Sequence, residues 1–438
     1  MSKIIENQTR NSSTSNGVSF RRKILPNGMR LILVPKSDSL ATTVAVSVEA
    51  GSKYETKDIN GLSHFLEHMC FKGTKKRPKA IDISSELDGM GASFNAFTAQ
   101  EMTSYYVKAR NESLDKVLDV IADMYLNPVF DKNEIEKERG VIIEEINMYE
   151  DTPQRRVQEF FMTLVYGDQP AGWDIAGRKE VIRKLSREDF IKYREAHYVG
   201  QATAVVVAGG FKGKDIEEKV EKYFASISKG EKSPKVAVFE KQGKPAELIK
   251  HKDSDQTHLV MGFRAFDTFD ERRFALEVLT DILGGGMSSR LFQKIREELG
   301  AAYYVRAGAD LYSDHGLISM AAGVDHKKIE TVIETALGEF DRFRKEEVDR
   351  KELERTKEHL IGQLFLSLET SDELGFYYAL QEIQRLPLMT PEDLSAKIKA
   401  VTPEEIRSVA NDLFKNENLN LAVIGPFKGK SFSGILKV

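Results

Sequence analysis

The most chemically specific stretch of the sequence is His64-Phe65-Leu66-Glu67-His68. On a helix, residues i and i+4 stand one turn apart on one face, so two imidazole nitrogens can reach a single Zn²⁺. Glu67, three residues after His64, projects beside them. Hydrolytic zinc sites keep an open position for water next to three protein ligands, and a carboxylate near the metal but off it can take that water's proton. Glu67 fits that part. A lone helical histidine is more often a core or surface residue. Two of them enclosing a glutamate, after a glycine-bounded turn, favour a metal. Phe65, Leu66 and Met69 then read as the core side of the same helix.

The third ligand must come from another element. The charge-laced segment Asn133 to Tyr149 has helical spacing and offers Glu134, Glu136, Glu138, Glu144 and Glu145. Glu138 and Glu145 are seven apart and share a face, but spacing alone does not choose among the five. A solvated charged face accounts for most of them.

At 438 residues the chain exceeds a single ordinary core, so several domains or one duplicated domain are expected. A hydrophobic content of 41%, with 24 Phe and 14 Tyr, supplies the apolar surface to fold. Lys plus Arg number 64 against 68 Asp plus Glu, interleaved, for a net charge of -4, which argues against a nucleic-acid binder. The single cysteine, Cys70, excludes an internal disulfide and reads as a small core residue in a reducing compartment. No apolar run reaches the roughly 18 residues of a membrane span. A cytoplasmic, non-membrane protein is expected.

Strands are predicted at Met29 to Val34, Thr43 to Val48, Ser93 to Phe97 and Ser104 to Ala109, with helices at Leu62 to Phe71, Ile81 to Leu87 and Leu114 to Leu126. After a polar, breaker-rich stretch the same order returns. Strands at Leu248 to Phe263, Ala301 to Ala309 and Gly316 to Val324 alternate with helices at Arg272 to Leu283 and Ser288 to Leu299, then helices from Lys328 and Asp349. The economical reading is an α+β duplication in two tandem domains, each an antiparallel sheet with helices packed on one face. The expected division is a disordered polar arm over 1–19, a metal-binding domain over 20–228, a linker over 229–245 and a homologous domain over 246–438. Gly284-Gly285-Gly286 lacks the Lys-Ser/Thr pair of a phosphate cradle and reads as a helix stop.

The run Gly61-Leu-Ser-His-Phe-Leu-Glu-His-Met-Cys-Phe-Lys-Gly-Thr74, followed by Asn95-Ala-Phe-Thr98 and Glu138-Arg-Gly-Val-Ile-Ile-Glu-Glu145, resembles the inverted-zincin metallopeptidases of the pitrilysin family. Among these it is most similar to bacterial homologues of the mitochondrial processing peptidase β subunit. The resemblance implies Zn²⁺ held by His64, His68 and Glu145, with Glu67 as the catalytic base and Glu138 holding the site. Arg290-Leu-Phe-Gln-Lys-Ile-Arg-Glu-Glu-Leu-Gly-Ala-Ala-Tyr-Tyr-Val305 resembles the family segment whose Arg and Tyr contact substrate, which implies roles for Arg296 and Tyr303. Such donors suit a carbonyl becoming tetrahedral. Asn95 and Ala96 match the family's edge strand, which takes up the substrate main chain as an added strand.

In the second half Phe274, Val278 and Gln363 stand at the positions matching His64, His68 and Glu145, so one zinc per chain is expected. Gln169-Pro170 departs from the His-Pro of many relatives, and no organellar presequence is evident, which favours a bacterial-type enzyme. The resemblance implies a zinc endopeptidase acting on peptides or unfolded segments in an enclosed cavity. Family members close around four repeats, and this chain has two, so a homodimer with Arg296 and Tyr303 acting across the interface is expected. The competing reading is a non-catalytic scaffold, or a subunit of a heterodimeric processing peptidase.

Overall fold

The structure, a computed structural model, describes residues 9–10, 19–212 and 215–438. The expected disordered arm, 1–19, lies outside these residues except for Thr9, Arg10 and Ser19.

Alternating apolar residues build two sheets. The first comprises β1 (Thr9–Arg10), β2 (Phe20–Ile24), β3 (Arg30–Pro35), β4 (Ala41–Val48), β5 (Ser93–Thr98), β6 (Thr103–Arg110) and β7 (Thr203–Gly209), in the order β1-β2-β3-β7-β4-β6-β5. The second comprises β8 (Ala246–His251), β9 (Thr257–Ala265), β10 (Ala302–Leu311), β11 (Gly316–Val324) and β12 (Leu419–Gly425), in the order β10-β11-β9-β12-β8. With β1 and β2 set aside, the two orders superimpose strand for strand. The expected duplication is therefore present in the topology.

Two features differ from the expected antiparallel sheet with helices on one face. Each sheet is mixed, because the last strand of each repeat inserts between the first two. β7 thus runs parallel to β3 and antiparallel to β4, and β12 parallel to β8 and antiparallel to β9. Both faces are also covered. Neighbouring residues of β6 show it: Tyr105 meets the Tyr125 ring of the Leu114–Leu126 helix at 5.9 Å, whereas Tyr106 meets Phe376 of the Ser371–Ile383 helix at 4.8 Å. Leu374 and Tyr378 of the latter helix pack on Ile32, Val34, Ala45 and Val206. In the second sheet, Val157, Phe161 and Val165 of the Pro153–Tyr166 helix cover Val260, Leu317, Ala422 and Ile424. On its other face Phe263 meets Phe340 and Phe414, each at 4.9 Å. Strands such as Thr203-Ala-Val-Val-Val-Ala-Gly209, buried at every residue, require cover on both sides.

Two of these covering helices, Ser371–Ile383 and Pro153–Tyr166, come from the opposite half of the sequence, so the compact units do not follow the sequential partition. One gathers the described residues up to Ile146 with Asp174–Val236 and Phe365–Glu392. The other gathers Asn147–Trp173, Ala237–Leu364 and Asp393–Val438. The stretch 229–245 carries no helix or strand, yet its Lys232 and Lys235 are ion-paired to Glu49 and Glu101 of the first unit.

A buried ion pair fixes the Ser371–Ile383 helix to the first sheet. Arg22 donates from Nε and Nη2 to the two Glu382 oxygens at 2.7 and 2.8 Å, with both side chains 3% exposed. Removing one member of such a pair leaves a buried charge uncompensated. Glu382→Ala is expected to lower the unfolding free energy by about 3–5 kcal/mol in urea titration. A loss under about 1 kcal/mol would contradict this role.

Candidate metal centre

The Leu62–Met69 helix turns its apolar side, Leu62, Phe65, Leu66 and Met69, into the core, where Phe65 meets Phe190 edge-on at 4.9 Å. That leaves His64 and His68 on the open side. Gly61 starts the helix at φ 94°, where an added Cβ would also lie 2.6 Å from the Ala176 carbonyl oxygen. The first orphan N–H groups of the helix are met by Glu55. Its Oε1 accepts from Ser63 N at 2.7 Å, and its Oε2 from Gly61 N at 2.7 Å and Asn60 Nδ2 at 3.0 Å. Glu55 is 1% exposed, and burial pushes its carboxyl up to about 7 against those hydrogen bonds.

The Lys132–Glu150 helix supplies the remaining carboxylates. Glu145 Oε2 lies 3.6 Å from His64 Nε2 and 3.7 Å from His68 Nε2. One ligand atom from each of His64, His68 and Glu145 falls within 4.8 Å of the other two, the one such group among the described residues. Seven residues earlier, Glu138 Oε1 is 2.8 Å from His68 Nδ1, and its Oε2 takes the Lys72 ammonium at 2.6 Å. Burial opposes its ionisation, but the His68 and Lys72 hydrogen bonds outweigh it and hold Glu138 below the usual carboxylate range. An ionised carboxylate only accepts, so Nδ1 of His68 is the donor and its Nε2 faces Glu145.

Glu67 is 8% exposed and accepts a 2.6 Å hydrogen bond from Thr98 Oγ1 at the end of β5. Burial raises its carboxyl, with a smaller push from Glu145, against the Thr98 hydrogen bond and His68. Ligands about 2.1 Å from a tetrahedral zinc stand about 3.4 Å apart. The nitrogen–oxygen separations in this cluster are close to that, so two imidazoles and one carboxylate fit the ion.

Asn95 and Ala96 lie on β5, the terminal strand of the first sheet, paired with Tyr106 and Tyr105 of β6. In the second unit, the Arg296 guanidinium lies 5.8 Å from the centroid of the Tyr303 ring, and Tyr303 is 74% exposed. Arg296 rides on a π-helical run, Phe292–Glu298, a wide winding that recurs at functional sites. Phe274 and Val278 are buried core residues and Gln363 is exposed. Glu55 and Thr98 were not singled out by type and spacing. Only their hydrogen-bond partners, brought close by folding, mark them.

A sequence model described as Insulinase (Peptidase family M16) matches residues 31–179, and one described as Peptidase M16 inactive domain matches 184–360. The chain belongs to peptidase family M16. The first of these M16 segments contains all of His64, Glu67, His68, Glu138 and Glu145. Among similar proteins are the zinc protease YmxG of Bacillus subtilis, 35% identical, with 93% of this chain and 98% of that protein covered, and a zinc protease of Rickettsia felis with the same identity and coverage. The fold is that of a protease from Helicobacter pylori, with a TM-score of 0.88 at 22% identity over 94% of this chain and all of that one. A peptidase M16 inactive domain from Pseudomonas fluorescens gives 0.86 at 18% identity, covering 94% and 99% of the two chains. No helix among the described residues is long and apolar enough to cross a membrane.

Replacing Glu55 tests whether a buried acceptor holds the start of the M16 motif helix. Glu55→Ala leaves two backbone N–H groups unmet and is expected to cost about 2–4 kcal/mol in urea unfolding of the metal-free protein. An unchanged midpoint would contradict the assignment.

Proposed function

We propose that this M16 chain is a zinc-dependent endopeptidase that hydrolyses extended peptides or unfolded protein segments. The observation that carries the reading is the convergence of His64, His68 and Glu145 beside a separate, nearly buried carboxylate, Glu67. His64, His68 and Glu145 would hold one Zn²⁺ per chain. When bound, zinc supplies Lewis acidity that polarises a carbonyl and makes a water easier to deprotonate.

The chain's own residues do the remaining work. Glu67, oriented by Thr98, takes a proton from the attacking water as its oxygen bonds to the scissile carbonyl carbon. As the C–N bond breaks, Glu67 returns that proton to the leaving amine. Glu138 orients His68 and is itself held by Lys72. Arg296 and Tyr303 donate toward the carbonyl oxygen as negative charge develops on it. β5 binds the substrate main chain through Asn95 and Ala96 as an added strand. Two chains pair to enclose the substrate, and each Arg296 and Tyr303 serves the metal centre of the other chain.

Zinc-loaded protein is expected to cleave an internally quenched peptide, with turnover abolished by chelator and restored by zinc. Glu67→Gln should keep its zinc and lose about 10²–10⁴-fold in kcat. A metal-free, inert wild type would favour the scaffold reading, and full activity in Glu67→Gln would remove the base. Mixing inactive Glu67→Gln and Arg296→Ala chains is expected to restore part of the activity. No recovery after proven mixing would mean that both sets act within one chain.

A further inference from the structure

An unassigned concavity of about 740 Å³ in the first unit lies between the end of the motif helix and the start of the Lys132–Glu150 helix. Its wall carries four lysines, Lys72, Lys75, Lys79 and Lys137. Two of them are already engaged: Lys72 sits on Glu138 at 2.6 Å and Lys137 on Glu134 at 2.5 Å. The remaining acid on the wall, Asp131, uses Oδ1 to accept the N–H groups of Asn133 and Glu134. Lys75 and Lys79 are exposed and have no ion pair among the described residues. Ile81, 63% exposed at the start of its helix, lines the same wall. Four lysines against Asp131, Glu134 and Glu138 leave the wall net positive, and Pro78, Ala80, Ile81 and Val129 line it with apolar surface, which fits a carboxylate-bearing side chain flanked by apolar contact.

The groove shares the Lys132–Glu150 helix with the metal centre. Lys137 precedes Glu145 by eight residues on one helix, about 12 Å along its axis. An extended peptide spans that distance in about three to four residues. We propose that this groove is a substrate subsite for acidic side chains, reading a Glu or Asp three or four residues from the scissile bond. The proposal rests on the peptidase reading and deepens it by naming a substrate class.

The test uses zinc-loaded full-length Glu67→Gln, so that binding is read without turnover. Fluorescein-labelled peptides share one neutral core and carry either Glu or Gln at the third and fourth positions on each side of the bond cleaved by wild type. Anisotropy at 50 mM NaCl is expected to show the Glu peptide binding about 5–10-fold tighter, with the ratio falling toward one at 500 mM. Adding Lys75→Gln and Lys79→Gln should abolish the ratio while leaving the Gln peptide's affinity within about two-fold. Both substitutions are on the surface, and unchanged thermal unfolding confirms that the fold persists. Equal affinities at low salt, or a preference that survives the double substitution, would overturn the subsite. Failure of wild type to cleave the neutral core counts separately, against the peptidase reading. In that case Glu and Gln peptides substituted at the third and fourth positions on each side of the centre of the core decide the groove from the affinity ratio alone.

Discussion

Three donor atoms on two helices must meet at one point, and much of the first unit is arranged to hold them there. The mutual distances of 3.6 and 3.7 Å between Glu145 and the two imidazoles leave little latitude, because a zinc–ligand bond tolerates only small displacement. Charge imposes a second demand. Glu67, Glu138 and Glu145, when ionised, bring three negative charges, and Lys72 returns one positive charge. The remainder matches a divalent cation. The hydrogen bond from His68 Nδ1 to Glu138 then does two things at once, fixing the tautomer and tying the motif helix to the Lys132–Glu150 helix.

The parts of this centre legible in the sequence were those set by local geometry. His64, Glu67 and His68 lie within five residues, and the helical repeat alone places both imidazoles on one side. Glu145 was not separable from Glu134, Glu136, Glu138 and Glu144 by spacing. Choosing among them needs the face that the Lys132–Glu150 helix turns toward the motif helix, which is a tertiary fact. Family resemblance supplied the choice. Glu55 and Thr98 were illegible for a related reason: a buried acceptor and a hydroxyl donor carry no local pattern, and their partners lie between five and thirty-one residues away.

The fold shows the same split. Strand alternation and helical spacing located the elements and revealed the repeat. What covers the second face of each sheet was not visible. Val-Val-Val in β7 reports that both sides are buried, but not that Leu374 and Tyr378 lie over one of them. Each unit's sheet takes a helix from the other half of the sequence, which no local signal announces. The repeat also explains the asymmetry in chemistry. The helix of the second unit that follows β9, as the motif helix follows β4, places Phe274 and Val278 in the core and carries no histidine.

The claim on which the account rests is that one zinc ion is held by His64, His68 and Glu145. Crystals of the zinc-loaded protein, with anomalous difference maps from data on both sides of the zinc edge, test it most directly. The account predicts a single peak per chain, about 2.0–2.2 Å from an imidazole nitrogen of each histidine and from a Glu145 oxygen. A peak elsewhere, or a zinc ion to which Glu145 contributes no bond, would contradict it.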